Sequence, residues 1–210
     1  MNEIFHICKE DPILKSALSY LIVNNMGNIN PYHSFEHAAN VFLSCVEAAE
    51  YHSIPEKEKL NLLVAAIFHD FNHSAGKMPD NVNIENALLG VQEWMKDRDD
   101  GLIDYEQIKS LIEITEFPYV IESNSLNLPQ QILRDADMGS IFTDNWFQTI
   151  MLGLSGEIKI GLEAFIEQQK NFMSNMKPNT PWFLKTRMPM LQEKLDDLNL
   201  YAEFIYEIQE

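Results

Sequence analysis

Four of the six histidines fall into two tight pairs. The first is Tyr32-His33-Ser34-Phe35-Glu36-His37-Ala38 and the second is Phe68-His69-Asp70-Phe71-Asn72-His73. An acidic pair follows in Arg134-Asp135-Ala136-Asp137-Met138. Imidazole offers a neutral nitrogen and carboxylate a charged oxygen, ligands suited to divalent first-row ions and Mg²⁺. Val64–Phe68, the most apolar stretch, runs directly into His69-Asp70. A helix apolar nearly all round is buried on all sides. Its polar end must meet partners inside the protein, because an unpaired buried carboxylate is very costly. One cation satisfies both groups. Asp137 makes the same demand among Ile132, Leu133, Ile141 and Phe142. Asp135 is two positions away, about 200° around a helix, and points elsewhere.

His37, His69, Asp70 and Asp137 thus form a candidate metal-ligand set of two nitrogens and two carboxylates. Six-coordination would leave positions for water and substrate. A divalent ion would acidify bound water and polarise an electrophile. That suits attack on phosphorus, where charge on the non-bridging oxygens must be neutralised. His33, just before a helix start, is the candidate proton donor to a leaving oxygen. His33 and Asp70 are the catalytic candidates.

Helical periodicity must supply the scaffold. Asp11-Pro12 reads as N-cap and first helical position of a helix to about Met26, with Ile13, Leu14, Leu18, Leu21 and Ile22 on its buried face. After a loop at 27–31, Ser34 caps a second helix to about Tyr51, which places His37 in its first turn. Ser53 with Pro55 opens a third, ending near Asp70; residues 72–82 form a loop. Further helices are predicted over about 84–98, from Asp104 to before Pro118, over 129–142, and over 144–154, 157–175 and 181–208, with 118–128 irregular. No segment alternates as a strand would, so the expected fold is all-α, a single domain over 1–210 with its motifs between about 30 and 173 and the C-terminal helices packed on them.

Composition narrows the function. Fifteen Lys and Arg against 32 Asp and Glu give a net charge of −17. Such a surface repels nucleic acid polymers and anionic membrane. A small phosphate ester is not excluded, since a bound cation reverses the local sign. Cys8 and Cys45 give neither a disulfide framework nor a CxxC spacing and read as buried thiols. Residues 1–15 lack the apolar stretch of a signal peptide, and the longest apolar run, Leu62–Phe68, is seven residues. A cytoplasmic location is expected; the oligomeric state is left open.

The spacing His37, His69-Asp70, Asp137 resembles the HD-domain metal-dependent phosphohydrolases, the superfamily that includes the class I cyclic nucleotide phosphodiesterases. Tyr32-His33-x-x-x-His37-Ala38 is similar to the phosphodiesterase signature in which the first His donates a proton and the second binds metal. His69-Asp70-x-x-His73 is similar to the segment whose last His sits by a second metal position. The resemblance covers about residues 30–173 and is nearer to the small HD phosphohydrolases. It implies an HD-type helical bundle holding one or two divalent ions (Mn, Mg, Fe, Zn or Ni), with His73 and Glu85 near a second ion or a bound water. Ile114-Thr115-Glu116-Phe117-Pro118 resembles the family's T-x-x-P segment. Phe165-x-x-x-Gln169-x-x-Phe172 is similar to the element with which phosphodiesterases hold a purine, so Gln169 and Phe172 become substrate-binding candidates.

Lys77, after His73, is a candidate phosphate contact. Lys77, Arg134, Lys185 and Arg187 are the only nearby cations, which favours a diester over a doubly charged monoester. The expected function is hydrolysis of a small phosphoester, a nucleotide diester such as a cyclic nucleotide. The alternatives are a nucleoside monophosphate phosphatase, a non-catalytic nucleotide-binding regulatory domain, and a di-iron oxygenase drawing ligands from His73 and Glu85. His6 and His52 read as ordinary, the C-terminal methionines as packing, and Asp97, Asp99 and Asp100 as a solvated helix end.

Overall fold

A computed structural model describes residues 2–96, 98 and 101–207. Asp97, Asp99 and Asp100 lie outside the described residues. Every regular element among the described residues is helical, and the protein is an all-α bundle. Its helices are α1 (Asn2–Cys8), α2 (Pro12–Asn24), α3 (Phe35–His52), α4 (Glu56–Phe68), α5 (Asp80–Met95) and α6 (Tyr105–Glu113). They continue with α7 (Leu128–Met138), α8 (Ser155–Ile158), α9 (Leu162–Ser174), α10 (Pro181–Thr186) and α11 (Leu191–Glu207). None of them is long and apolar enough to cross a membrane.

Local chemistry sets the helix starts. Asp11 accepts from the Ile13 and Leu14 N–H groups, Ser34 from His37, Asp104 from Gln107 and Thr180 from Phe183. Each cap satisfies a donor that the first helical turn leaves unpaired. Asn127 and Gln130 form a reciprocal capping box on α7. Ser53 does not open α4. It ends α3 in the left-handed region (φ 53°), and α4 starts after Pro55 with no side-chain cap.

Helix α4 is the axis of the core. Asn61 to Phe68 are all buried, and α2, α3, α5, α6 and α7 pack around it. On α2, Ile13, Leu14, Leu18 and Leu21 face inward as expected, but Ile22 is exposed; Ala17 completes the buried stripe. Helix α1 and the C-terminal helices pack on this centre, with Ile4, Trp182, Phe183 and Leu198 buried. Both thiols are buried, and burial pushes that of Cys8 up to about 12. Met173 is buried, and Met176, Met188 and Met190 pack against the core.

Four predicted spans differ. Helix α5 begins at Asp80, not near residue 84. The predicted helix at 144–154 is a π-helix over Phe147–Leu154, and the one at 157–175 is broken at Lys159 (φ 56°), resuming at Leu162. The predicted 181–208 helix breaks at Met188–Met190, where Pro189 cannot continue the hydrogen-bond ladder. The π-helix makes a close tertiary approach. A Cβ on Gly153 would stand 2.5 Å from the Pro31 carbonyl oxygen, so only glycine lets this helix close on the loop that carries His33.

Candidate metal centre and cavity

The first cluster comes from three helix ends. His37 is in the first turn of α3, His69 and Asp70 follow α4, and Asp137 is at the end of α7. His37 Nε2 lies 3.0 Å from Asp137 Oδ1, 3.2 Å from Asp70 Oδ2 and 3.2 Å from His69 Nε2. His69 Nε2 lies 3.1 Å from Asp70 Oδ2 and 3.7 Å from Asp137 Oδ1. Ligands held at about 2.0–2.2 Å around one ion stand roughly 3.0–3.6 Å apart, which matches this spacing. The opposite ring nitrogens are occupied: His69 Nδ1 faces the Ala66 carbonyl at 2.9 Å and His37 Nδ1 faces the Ser140 hydroxyl at 3.0 Å. Asp70 Oδ2 is buried and accepts no hydrogen bond. Two inward-facing imidazole nitrogens beside an orphaned carboxylate oxygen fit a divalent cation. His37, His69 and Asp137 have ligand atoms close enough together to hold a metal ion.

The electrostatics agree. Burial disfavours charge on both histidines, but the two aspartates outweigh it and hold His37 above, and His69 well above, the ordinary imidazole range. Burial likewise opposes charge on Asp70 and Asp137. The neighbouring histidines, by charge for Asp70 and by hydrogen bond and charge for Asp137, still keep Asp70 well below, and Asp137 below, the usual carboxylate range. The signs fix a pH window for the ion-free protein. The histidine contribution is full below the unfolded value of 6.5 and is lost as pH rises through the raised folded values. The aspartate contribution is present above 3.8 and is lost as pH falls through the depressed folded values. We therefore expect the Tm of chelator-treated protein to decline as pH rises above about 6.5. Mn²⁺ should raise Tm more at pH 8 than at pH 6, because it needs deprotonated imidazole. A flat Tm profile of the chelated protein across that range, or an equal Mn²⁺ increment at pH 6 and pH 8, would contradict this coupling.

A second cluster adjoins the first. Glu157 is buried on α8 and accepts from the N–H groups of Tyr32 and His33 at 2.6 and 3.0 Å, while its other oxygen pairs with His33 Nδ1 at 2.6 Å. Burial opposes the Glu157 charge, but the His33 hydrogen bond and these N–H groups hold its carboxyl below the ordinary range. The His33 ring stacks on His73 at 3.5 Å and stands 6.0 Å from that of His37. Sequence reading missed Glu157. Its signal was of the same kind as that of Asp137, one acid within the small and apolar run Gly153-Leu154-Ser155-Gly156-Glu157-Ile158.

His33, His73 and Glu157 form another group with cation-holding spacing. Both ring nitrogens of His73 already face protein: the Ala75 N–H at 3.2 Å and the Asn83 amide at 2.8 Å, with Asp80 at 3.6 Å. The expectation for Glu85 is corrected. With α5 starting at Asp80, Asn83, Ile84 and Ala87 form its buried face and Glu85 is exposed; Asp80 and Asn83 meet His73 instead.

His69, Asp70 and Asp137 of the first cluster and His33 and His73 of the second line one cavity of about 330 Å³. Its far wall is apolar, with Ile141, Ile150, Leu154, Phe165 and Phe172, and the buried Gln169 beside them. Thr115 and Met138 also line it. No lysine or arginine lines it among the described residues. Lys77 is exposed and off the wall, while its neighbour Gly76 (φ 72°) is on it; a Cβ there would be 2.6 Å from the Glu157 carbonyl oxygen. Arg134 is buried but donates to the Ile114 and Ile121 carbonyls. Lys185 lies over Tyr51, and Arg187 pairs with Glu47.

Asp135 points away from Asp137, as the helical angle requires. Burial pushes its carboxyl up although it accepts from the N–H and amide of Asn179 and the N–H and hydroxyl of Thr180. Asp135 thereby ties the start of α10 to α7. Asp135→Asn should cost about 2–3 kcal/mol in urea unfolding, since several donors lose a charged acceptor, while Mn²⁺ stoichiometry stays at the wild-type value. Loss of Mn²⁺ binding in a folded Asp135→Asn protein would contradict this division of labour.

The chain matches no protein-family model and no curated protein sequence.

Proposed function

We propose that this protein is a metal-dependent phosphoester hydrolase of the HD-domain type, acting on a small phosphodiester such as a cyclic nucleotide. The observation that carries the reading is the meeting of His37, His69, Asp70 and Asp137 in one cluster, three of which (His69, Asp70 and Asp137) line a cavity, with Asp70 Oδ2 buried and without a hydrogen-bond partner. His37, His69, Asp70 and Asp137 would hold the ion, which when bound supplies Lewis-acid stabilisation of phosphoryl charge and acidifies water.

The chain's own residues do the rest. Glu157 accepts from His33 Nδ1, which leaves Nε2 as the nitrogen that can deliver a proton to a leaving alkoxide. The apolar wall excludes water, and Gln169 and Phe172 flank the organic part of the ester. The absence of lysine and arginine from the wall of the described cavity favours a singly charged diester over a doubly charged monoester.

The test is turnover by protein loaded with Mn²⁺, Mg²⁺, Ni²⁺ or Fe²⁺. Substrates are bis-p-nitrophenyl phosphate, p-nitrophenyl phosphate and cyclic mononucleotides. Diester hydrolysis exceeding monoester hydrolysis is expected. No turnover of any ester by folded, metal-loaded protein overturns the proposal, and binding of a cyclic nucleotide without turnover would point to a regulatory domain.

A further inference from the structure

The two histidines of the first cluster are held differently. His69 Nδ1 faces a backbone carbonyl, that of Ala66. A carbonyl only accepts, so Nδ1 carries the proton and Nε2 presents its lone pair to the cluster. His37 Nδ1 faces the hydroxyl of Ser140, which can donate or accept. That hydroxyl is delivered by the turn Gly139–Phe142, directly after α7. Asp137 and Ser140 are three residues apart and grip one imidazole from both sides: Asp137 is 3.0 Å from Nε2 and Ser140 is 3.0 Å from Nδ1. Ser140 is buried, and the Tyr32 ring lies 4.8 Å from the His37 ring and packs against it. With Nε2 turned toward Asp137, Asp70 and His69, the proton of a neutral ring sits on Nδ1, so the Ser140 oxygen accepts it.

We propose that Ser140 is a positioning residue of the cation site, accepting from His37 Nδ1–H and so fixing the tautomer and ring plane that aim Nε2 at the ion. This rests on reading the first cluster as a cation site. Removing the hydroxyl leaves a buried ring N–H without an acceptor and frees the ring to turn. Such losses weaken metal affinity by about 10–100-fold.

The experiment measures Mn²⁺ affinity by competition with a chromophoric chelator for wild type, Ser140→Ala and Ser140→Thr. It adds the His37 Nδ1–H resonance of the Zn²⁺-loaded protein by NMR. We expect affinity to fall about 10–100-fold in Ser140→Ala and to stay near wild type in Ser140→Thr. We also expect the ring N–H signal, protected in wild type, to exchange rapidly with water in Ser140→Ala. Should Ser140→Ala not fold, Ser140→Gly and the wild-type resonance carry the test. An unprotected His37 ring N–H in the wild-type Zn²⁺ form overturns the inference. Wild-type affinity in a folded variant lacking the hydroxyl overturns it alone, whereas a wild-type protein that binds no Mn²⁺ overturns the reading of the site itself.

Discussion

His69→Ala and Asp70→Ala proteins are each expected to lose the bound divalent ion, with metal content by elemental analysis falling to that of a chelated control. The reason lies in the spacing. His69 Nε2 and Asp70 Oδ2 stand 3.1 Å apart and both approach His37 Nε2 at 3.2 Å, so either truncation removes a donor from the centre of the set. Asp70→Ala also removes one of the two carboxylates that offset the ion's charge. The Lewis acid is worth several kcal/mol to a phosphoryl transition state. At about 1.4 kcal/mol per tenfold, phosphodiester hydrolysis should fall about 10³-fold or more. Circular dichroism should stay helical, because α4 is held by its apolar residues and not by the two that follow it. Wild-type metal content in both variants would remove the basis of the site.

His33→Gln should separate metal binding from proton transfer. Its ring stands 6.0 Å from that of His37, so the ion should remain at wild-type stoichiometry. The rate on an alkyl diester should drop about 10²–10⁴-fold, the usual worth of a positioned acid. The loss should be much smaller for a p-nitrophenyl leaving group, which departs without protonation. Equal losses on the two leaving groups would show that His33 acts in binding or structure, not as the acid.

Much of the scaffold can be read from the chain. The caps Asp11, Ser34 and Asp104 act through bonds two or three residues long, and the all-round apolar pattern of Leu62–Phe68 demands burial wherever the other helices go. The opposite directions of Asp135 and Asp137 follow from helical geometry alone. Glu85 lies in the second turn of α5 and not at its start, because α5 begins at Asp80, four residues earlier than predicted, and the inward face there is Asn83, Ile84 and Ala87. Lys77 and Arg134 were drawn toward phosphate by charge and proximity in sequence. Lys77 instead lies exposed, and the carbonyls of Ile114 and Ile121 take up Arg134.

The chain by itself determined an acidic, all-helical protein and its candidate ligands His37, His69, Asp70 and Asp137, because periodicity, capping and the cost of burying charge are local and additive along a helix. Tertiary structure alone decided that Glu157 reaches His33 across 124 residues, that Ser140 backs His37 and that no lysine or arginine lines the described cavity. Those contacts depend on how closely separate backbones approach, as where Gly153 admits the Pro31 carbonyl. That distance is set by packing of the whole core and leaves no periodic trace in the residues that make the contact.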